Sequence, residues 1–351
     1  MTVLTATTQR SVPETRPRAT GRDHMILLLA ATVMEVGGLL DGWAHSSLPL
    51  AQLEREGVLS PWHLLLGFGY ALTAAWIALL VLRQLRGGAR RLAAVPIGYG
   101  LGLAGAAAWP IGFGLDQFVW HQVFGVERGI EALLSPTHLL LGLSEILMLT
   151  SPLRAAWSDA TLPRRPSFGA FFPALLSLTF AVGVIAFFFS YEIAFVAMYP
   201  AEQVALGIPT VLTTNLLLIG TMLLLLRRWQ PPFGSLTFFF GAQATLINAI
   251  TGFAAWPTIP VALTGGLFAD VLVSRWQPTV TRPAVFRATA ALTSLTLWTV
   301  YMITLLVIGQ LDWSPPLWAG VATLAVGSSA ALGLIVAPPL VPATDHAFPS
   351  P

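Results

Sequence analysis

Neither cysteine nor lysine occurs among the 351 residues. Without a thiol, disulfides, thiolate metal ligation and cysteine nucleophiles are all excluded. Charge of any kind is scarce. Charged residues make up 10% of the chain against 55% hydrophobic ones, and the mean hydropathy is +0.74, far from a soluble domain. The seven methionines are scattered and form no metal relay. No haem signature, flavin motif or nucleotide-binding loop is present. Any bound metal must therefore be held by imidazole, carboxylate, amide or water.

What is present is apolar sequence in lengths that match a bilayer. Ten runs read as spans: 25–42, 61–83, 92–114, 136–156, 168–190, 207–226, 233–252, 256–274, 286–309 and 316–338. The expected fold is an all-α, polytopic transmembrane helical bundle built from helical hairpins. The run from Met25 lacks a clear small-residue cleavage site, so it reads as a retained first span.

All 18 basic residues are arginine, and their placement sets the expected orientation. Groups of them precede the first span and follow the second, fourth, sixth and eighth, which puts 16 on one side and leaves Arg55 and Arg128 opposite. By the positive-inside rule both termini are cytoplasmic. The net charge of +2 thus reports topology and gives no reason to invoke nucleic acid. The bilayer of the cell membrane is the expected partner.

Five segments follow from this reading. Residues 1–22 and 339–351 are Pro-rich tails expected to be disordered. Two hairpins occupy 23–156, a linker 157–167, and a six-span bundle 168–338. Thr214-Asn215-Leu216-Leu217-Leu218-Ile219-Gly220 faintly echoes the hairpin sequence, as Leu-rich helices often do. Asp270, close to Arg275, reads as a structural pair with it.

The two hairpins repeat one polar pattern. Asp41-Gly42-Trp43-Ala44-His45 is followed by Ser60-Pro61-Trp62-His63-Leu64-Leu65-Leu66-Gly67. Asp116-Gln117-Phe118-Val119-Trp120-His121 is followed by Ser135-Pro136-Thr137-His138-Leu139-Leu140-Leu141-Gly142. Each second histidine lies 22 residues after its aspartate, and Glu56 and Glu131 each lie 15 after theirs. Four of the six histidines fall in these stretches. On the expected topology both stretches face the non-cytoplasmic side.

The residue types suit a metal. Ser is a favoured helix N-cap and Pro a favoured first residue, so His63 and His138 fall in a first helical turn. The positive helix dipole there disfavours imidazolium and leaves a lone pair for a metal. Asp41 and His45 are four apart and share a helix face. With His63 they make two imidazoles and a carboxylate, a set that suits copper, zinc or iron(II) and leaves positions open for water or substrate. Asp116 and His121 are five apart, about 140° apart on a regular helix, so that set needs a bulge, an unwound turn or different ligands.

Other acids and aromatics have two readings each. Glu56, Glu127 and Glu131 lie in outer loops, either solvated or completing a ligand set. Glu35 and Glu145 lie inside spans, where a carboxyl group is a proton relay, a partner behind the ligands, or a neutral hydrogen-bonded structural group. Tyr70 stands below His63 where Glu145 stands below His138. Trp62 and Trp120 belong to an interfacial belt or shield the histidines beside them.

The Asp-Gly-x-x-His stretch ending one helix, with Ser-Pro-x-His opening the next, resembles the C subunit of copper membrane monooxygenases, the particulate methane and ammonia monooxygenases. The resemblance covers the two hairpins, under half the chain. The His45–His63 spacer is longer than the family's, and the six later spans match nothing in it. The resemblance implies copper at Asp41, His45 and His63 and, through the internal repeat, at Asp116, His121 and His138.

Three functions fit the sequence. The first is oxidation of a small or lipophilic substrate at a copper centre, alone or as a subunit of a larger or homo-oligomeric assembly, with electrons from a quinol or a partner protein. The second is copper or zinc storage or delivery without catalysis. The third is a proton-coupled transporter using Glu35 and Glu145.

Overall fold

A computed structural model describes residues 16–125, 129–195 and 204–338. Helices account for all regular structure among them, with no strand. In chain order they are α1 (Gly21–Ser47), α2 (Leu50–Glu56), α3 (Pro61–Arg86), α4 (Gly100–Leu115), α5 (His121–Phe124), α6 (Ile130–Leu134) and α7 (Pro136–Leu149). Then follow α8 (Ser151–Trp157), α9 (Phe168–Phe188), α10 (Val204–Arg228), α11 (Ser235–Ile250), α12 (Thr258–Trp276), α13 (Pro283–Val307) and α14 (Pro315–Val336).

Seven described helices are long and apolar enough to cross a membrane: α1, α3, α9, α10, α12, α13 and α14. An eighth span results if α7 and α8, bent by 42° at their junction, are taken as one. The other two expected spans contain α4 and α11, of 16 residues each. The chain is thus a multi-pass helical membrane protein, with seven or eight spans by length and composition among the described residues, where ten were expected.

Two expected boundaries move for local reasons. Thr20 closes a capping box with Asp23, so α1 starts at Gly21 and takes in two residues assigned to the tail. At the other hairpin the helix starts at Gly100 instead of residue 92, because Pro96 and a positive-φ Gly98 (φ 88°) interrupt it. The rest of the first tail, residues 1–15, and the tail at 339–351 lie outside the described residues.

The α7–α8 bend has a visible cause. Pro152 has no N–H to continue the ladder. Ser177 on α9 restores the pairing, donating to Leu149 O (2.5 Å) and accepting from Leu153 N (3.1 Å). Arg154 reaches back to Leu147 O (2.7 Å) and Gly98 O (2.9 Å). Backbone groups freed within an apolar setting are paired again by side chains.

Packing divides the described helices into two cores. One is formed by α1, α3, α4 and α7, and the other mainly by α8–α14; α9 contributes to both. The first core depends on close backbone approach. A methyl group added at Gly37 would run into the Leu66 backbone, and one at Gly69 into that of Met34. In the second core Asn215 is fully buried and tied to Ser294, Trp298, Ser328 and Ser329. Asp270 does not pair with Arg275. It accepts from Leu236 N (3.1 Å) and Thr237 N (2.9 Å), capping the start of α11.

Candidate metal centre

The first set assembles where α1 ends and α3 begins. Ser60 caps α3 by accepting from His63 N at 3.3 Å, as the Ser-Pro start predicts. His63 Nε2 then lies 3.0 Å from Asp41 Oδ1, and His45 Nε2 lies 3.8 Å from the same oxygen. One ligand atom from each of the three residues falls within 4.8 Å of the others, close enough to hold one ion; no other described His/Asp/Glu group of three or more does so. Ligands 2.0–2.1 Å from a tetrahedral metal stand about 3.3 Å apart, so only small shifts are required.

Hydrogen bonding shows what this arrangement wants. His63 Nδ1 is 3.1 Å from the carbonyl of Gly57. A carbonyl only accepts, so Nδ1 carries a proton, and in the neutral tautomer that this fixes Nε2 is the nitrogen with the lone pair. Asp41 Oδ1, also an acceptor, is buried and has no aligned hydrogen bond. The 3.0 Å approach of His63 is off the line of a ring N–H bond, so closeness alone does not make it one. The lone pair lies on that same line, so an ion bound to both atoms would sit beside the N–O vector, as tetrahedral ligation requires. An imidazole whose other nitrogen is fixed by a carbonyl is the usual support for a metal-bound histidine. Gly57 holds the required carbonyl at φ 52°, a conformation that suits glycine.

The second set is assembled differently. Residues Asp116–Trp120 form a π-helical turn, with His121 N bonded to Asp116 O. This is the bulge that the five-residue spacing requires; such turns often occur at functional sites. It brings His121 Nε2 to 3.6 Å from Asp116 Oδ2. The paired rings are arranged alike in the two sets: His45–His63 at 6.2 Å and 50°, His121–His138 at 6.3 Å and 49°.

The carboxylates are not alike. Asp116 Oδ1 accepts from Thr137 Oγ1 at 2.5 Å, and Oδ2 from Gln117 Nε2 at 2.8 Å. His138 presents Nδ1 to Asp116 at 3.4 Å and shares it with Ser135 Oγ at 2.7 Å. Asp116 is thus satisfied by neutral donors. His138 borders the same two cavities as Asp41 and lies in electrostatic range of both Asp41 and His45. The two sets therefore adjoin.

The outer cavity, about 240 Å³, is lined by Asp41, His45, His138 and Tyr191 among others. The inner one, about 70 Å³, shares Asp41, His138, Phe187 and Phe188 with it and reaches Glu35 and Glu145. Glu145 accepts from Trp109 Nε1 at 3.2 Å, and Trp109 stacks on Tyr70 at 4.1 Å. Glu35 is buried, with Oε1 unpartnered. Glu131 is exposed on α6, the Glu56 side chain and all of Glu127 lie outside the described residues, and Trp120 packs on Phe124 at 4.4 Å. Sequence reasoning did not single out Thr137 and Gln117, although each stands beside a named residue.

The fold and the site define a class: a multi-pass helical membrane protein with a His/Asp triad spaced to hold a metal ion. Comparisons with protein-family models, curated proteins and solved structures found no match.

Proposed function

We propose that this protein is a membrane metalloprotein whose primary site is Asp41, His45 and His63, with copper as its metal. The carrying observation is the confrontation of His63 Nε2 with Asp41 Oδ1 at 3.0 Å while Nδ1 is committed to Gly57 O. Two imidazoles and one carboxylate fit copper(II), with zinc and iron(II) as alternatives. The likeness of the two hairpins to the copper membrane monooxygenase C subunit favours copper. Asp116, His121 and His138 form the adjoining second set.

On this reading the ten apolar runs all cross the cell membrane, both termini are cytoplasmic and the site faces outward. The apolar walls beside the triad support oxidation of a small or lipophilic substrate, in this chain or in an assembly to which it belongs. Bound copper would supply the redox chemistry. The chain's own contribution is to orient His63 through Gly57, to place Asp41 at the junction of the two cavities, and to screen it with Phe187 and Phe188.

The test is elemental analysis with electron paramagnetic resonance of full-length protein purified in detergent after copper loading. Wild type should hold about one copper with nitrogen hyperfine structure, and His63→Ala should lose it. Wild type without copper, zinc or iron would overturn the reading. The outer cavity beside His45 also suits hand-over of the ion to another protein. Tightly held copper that responds to no reductant would favour that delivery role.

A further inference from the structure

Glu35 and Glu145 come from different helices, α1 and α7, yet line one cavity in the first core. No arginine is among its described lining residues. The groups facing the pair are Asp41 on α1 and His138 on α7, which line the same cavity, and Trp109 on α4, which donates to Glu145; α3 adds only the apolar Leu66. Helices α9 and α11 add one polar group to the lining, Gln243, whose amide nitrogen is taken by Thr179 O at 2.8 Å. No fixed cation is therefore at hand to balance two carboxylates in this apolar chamber.

Two buried acids that sense one another do not both ionise without a counter-charge, and Glu35 and Glu145 are in electrostatic range. Glu145 has one donor, the Trp109 indole. Glu35 Oε1 is buried without a partner, a costly state for a carboxylate. The 70 Å³ of the chamber holds on the order of five waters. Its only described acidic and imidazole neighbours toward the outer cavity are Asp41 and His138, which border both spaces.

We propose that Glu35 and Glu145 are a proton-holding carboxyl pair that exchanges a proton for the charge of the metal. The proposal rests on the metal reading above. In the metal-free protein the pair keeps its proton. When the triad takes a dication, one carboxyl gives up its O–H proton, the O–H electron pair stays on the carboxylate, and the proton leaves through the waters past Asp41 and His138. The dication brings two positive charges and one departs with the proton, so loading depends on pH through residues that are not ligands.

The experiment adds copper(II) to full-length protein in weakly buffered detergent solution. It records bound copper by electron paramagnetic resonance, protons released with an indicator dye, and the infrared difference spectrum. Wild type should lose a protonated-carboxyl C=O band and release about one proton more per bound copper than Glu35→Gln/Glu145→Gln. If the double variant does not fold, Glu145→Gln alone reads the same band, since its amide oxygen still accepts from Trp109. Copper bound with an unchanged carboxyl band, or equal proton counts at equal occupancy, would overturn the proposal and leave the metal reading standing. No copper in wild type would overturn both.

Discussion

The two His/Asp sets hold their rings in the same relation, yet they leave their carboxylates in opposite conditions. Asp116 is 1% exposed and receives a hydroxyl and an amide. Asp41 is 14% exposed, and its Oδ1 faces the Nε2 atoms of His63 and His45 at 3.0 and 3.8 Å with no aligned hydrogen bond. Two substitutions between the sets make the difference. Thr137 stands where the first set has Trp62, and Gln117 where it has Gly42. The lesson is that ligand types and spacing bring groups together, while small neighbours decide whether a carboxylate still needs a cation.

The comparison breaks most clearly by deleting each carboxylate in turn. Asp41→Ala should weaken metal binding on the order of 100-fold or more, whereas Asp116→Ala should change it by less than about 10-fold. Calorimetric titration with copper(II) measures both, and equal losses would mean that the asymmetry has no functional weight. Next in size is the support behind His63. Gly57→Val disfavours the φ of 52° that aims the carbonyl, so affinity should fall by about 10-fold while metal coordination keeps the same ligands.

A converse change sharpens the contrast. Thr137→Val combined with Gln117→Leu removes both neutral donors to Asp116. The freed carboxylate should raise bound copper from about one to about two equivalents by elemental analysis, and a constant count would show that the π turn itself prevents binding. The smallest effect belongs to the caps. Ser60→Ala should cost about 1 kcal/mol of stability, and Ser135→Ala more, because Ser135 also holds the His138 ring at 2.7 Å. Thermal unfolding of the metal-free variants gives the order.

Much of this was legible because it depends on local spacing. Apolar runs gave helices, Ser-Pro-x-His gave two capped first turns, and the extra residue before His121 called for the distortion seen as a π turn. Span number was less legible: α4 and α11 are short for a bilayer, and α7 breaks at a proline whose repair by Ser177 comes from another helix. The role of Asp270 was misread because sequence proximity to Arg275 says nothing about the α11 N-terminus packed against it. The occupancy of Asp116 and the meeting of Glu35 with Glu145 are tertiary facts. No spacing along one helix encodes them.

Helix α9 has a mechanical consequence. It belongs to both cores, and its last two residues, Phe187 and Phe188, wall both cavities. Their rings also fill the space beside Gly42 and Gly142, one glycine in each hairpin. A tilt of α9 therefore swings two rings at once against both hairpins. The C-terminal helices thus hold a lever on the chambers while contributing none of the six His/Asp residues.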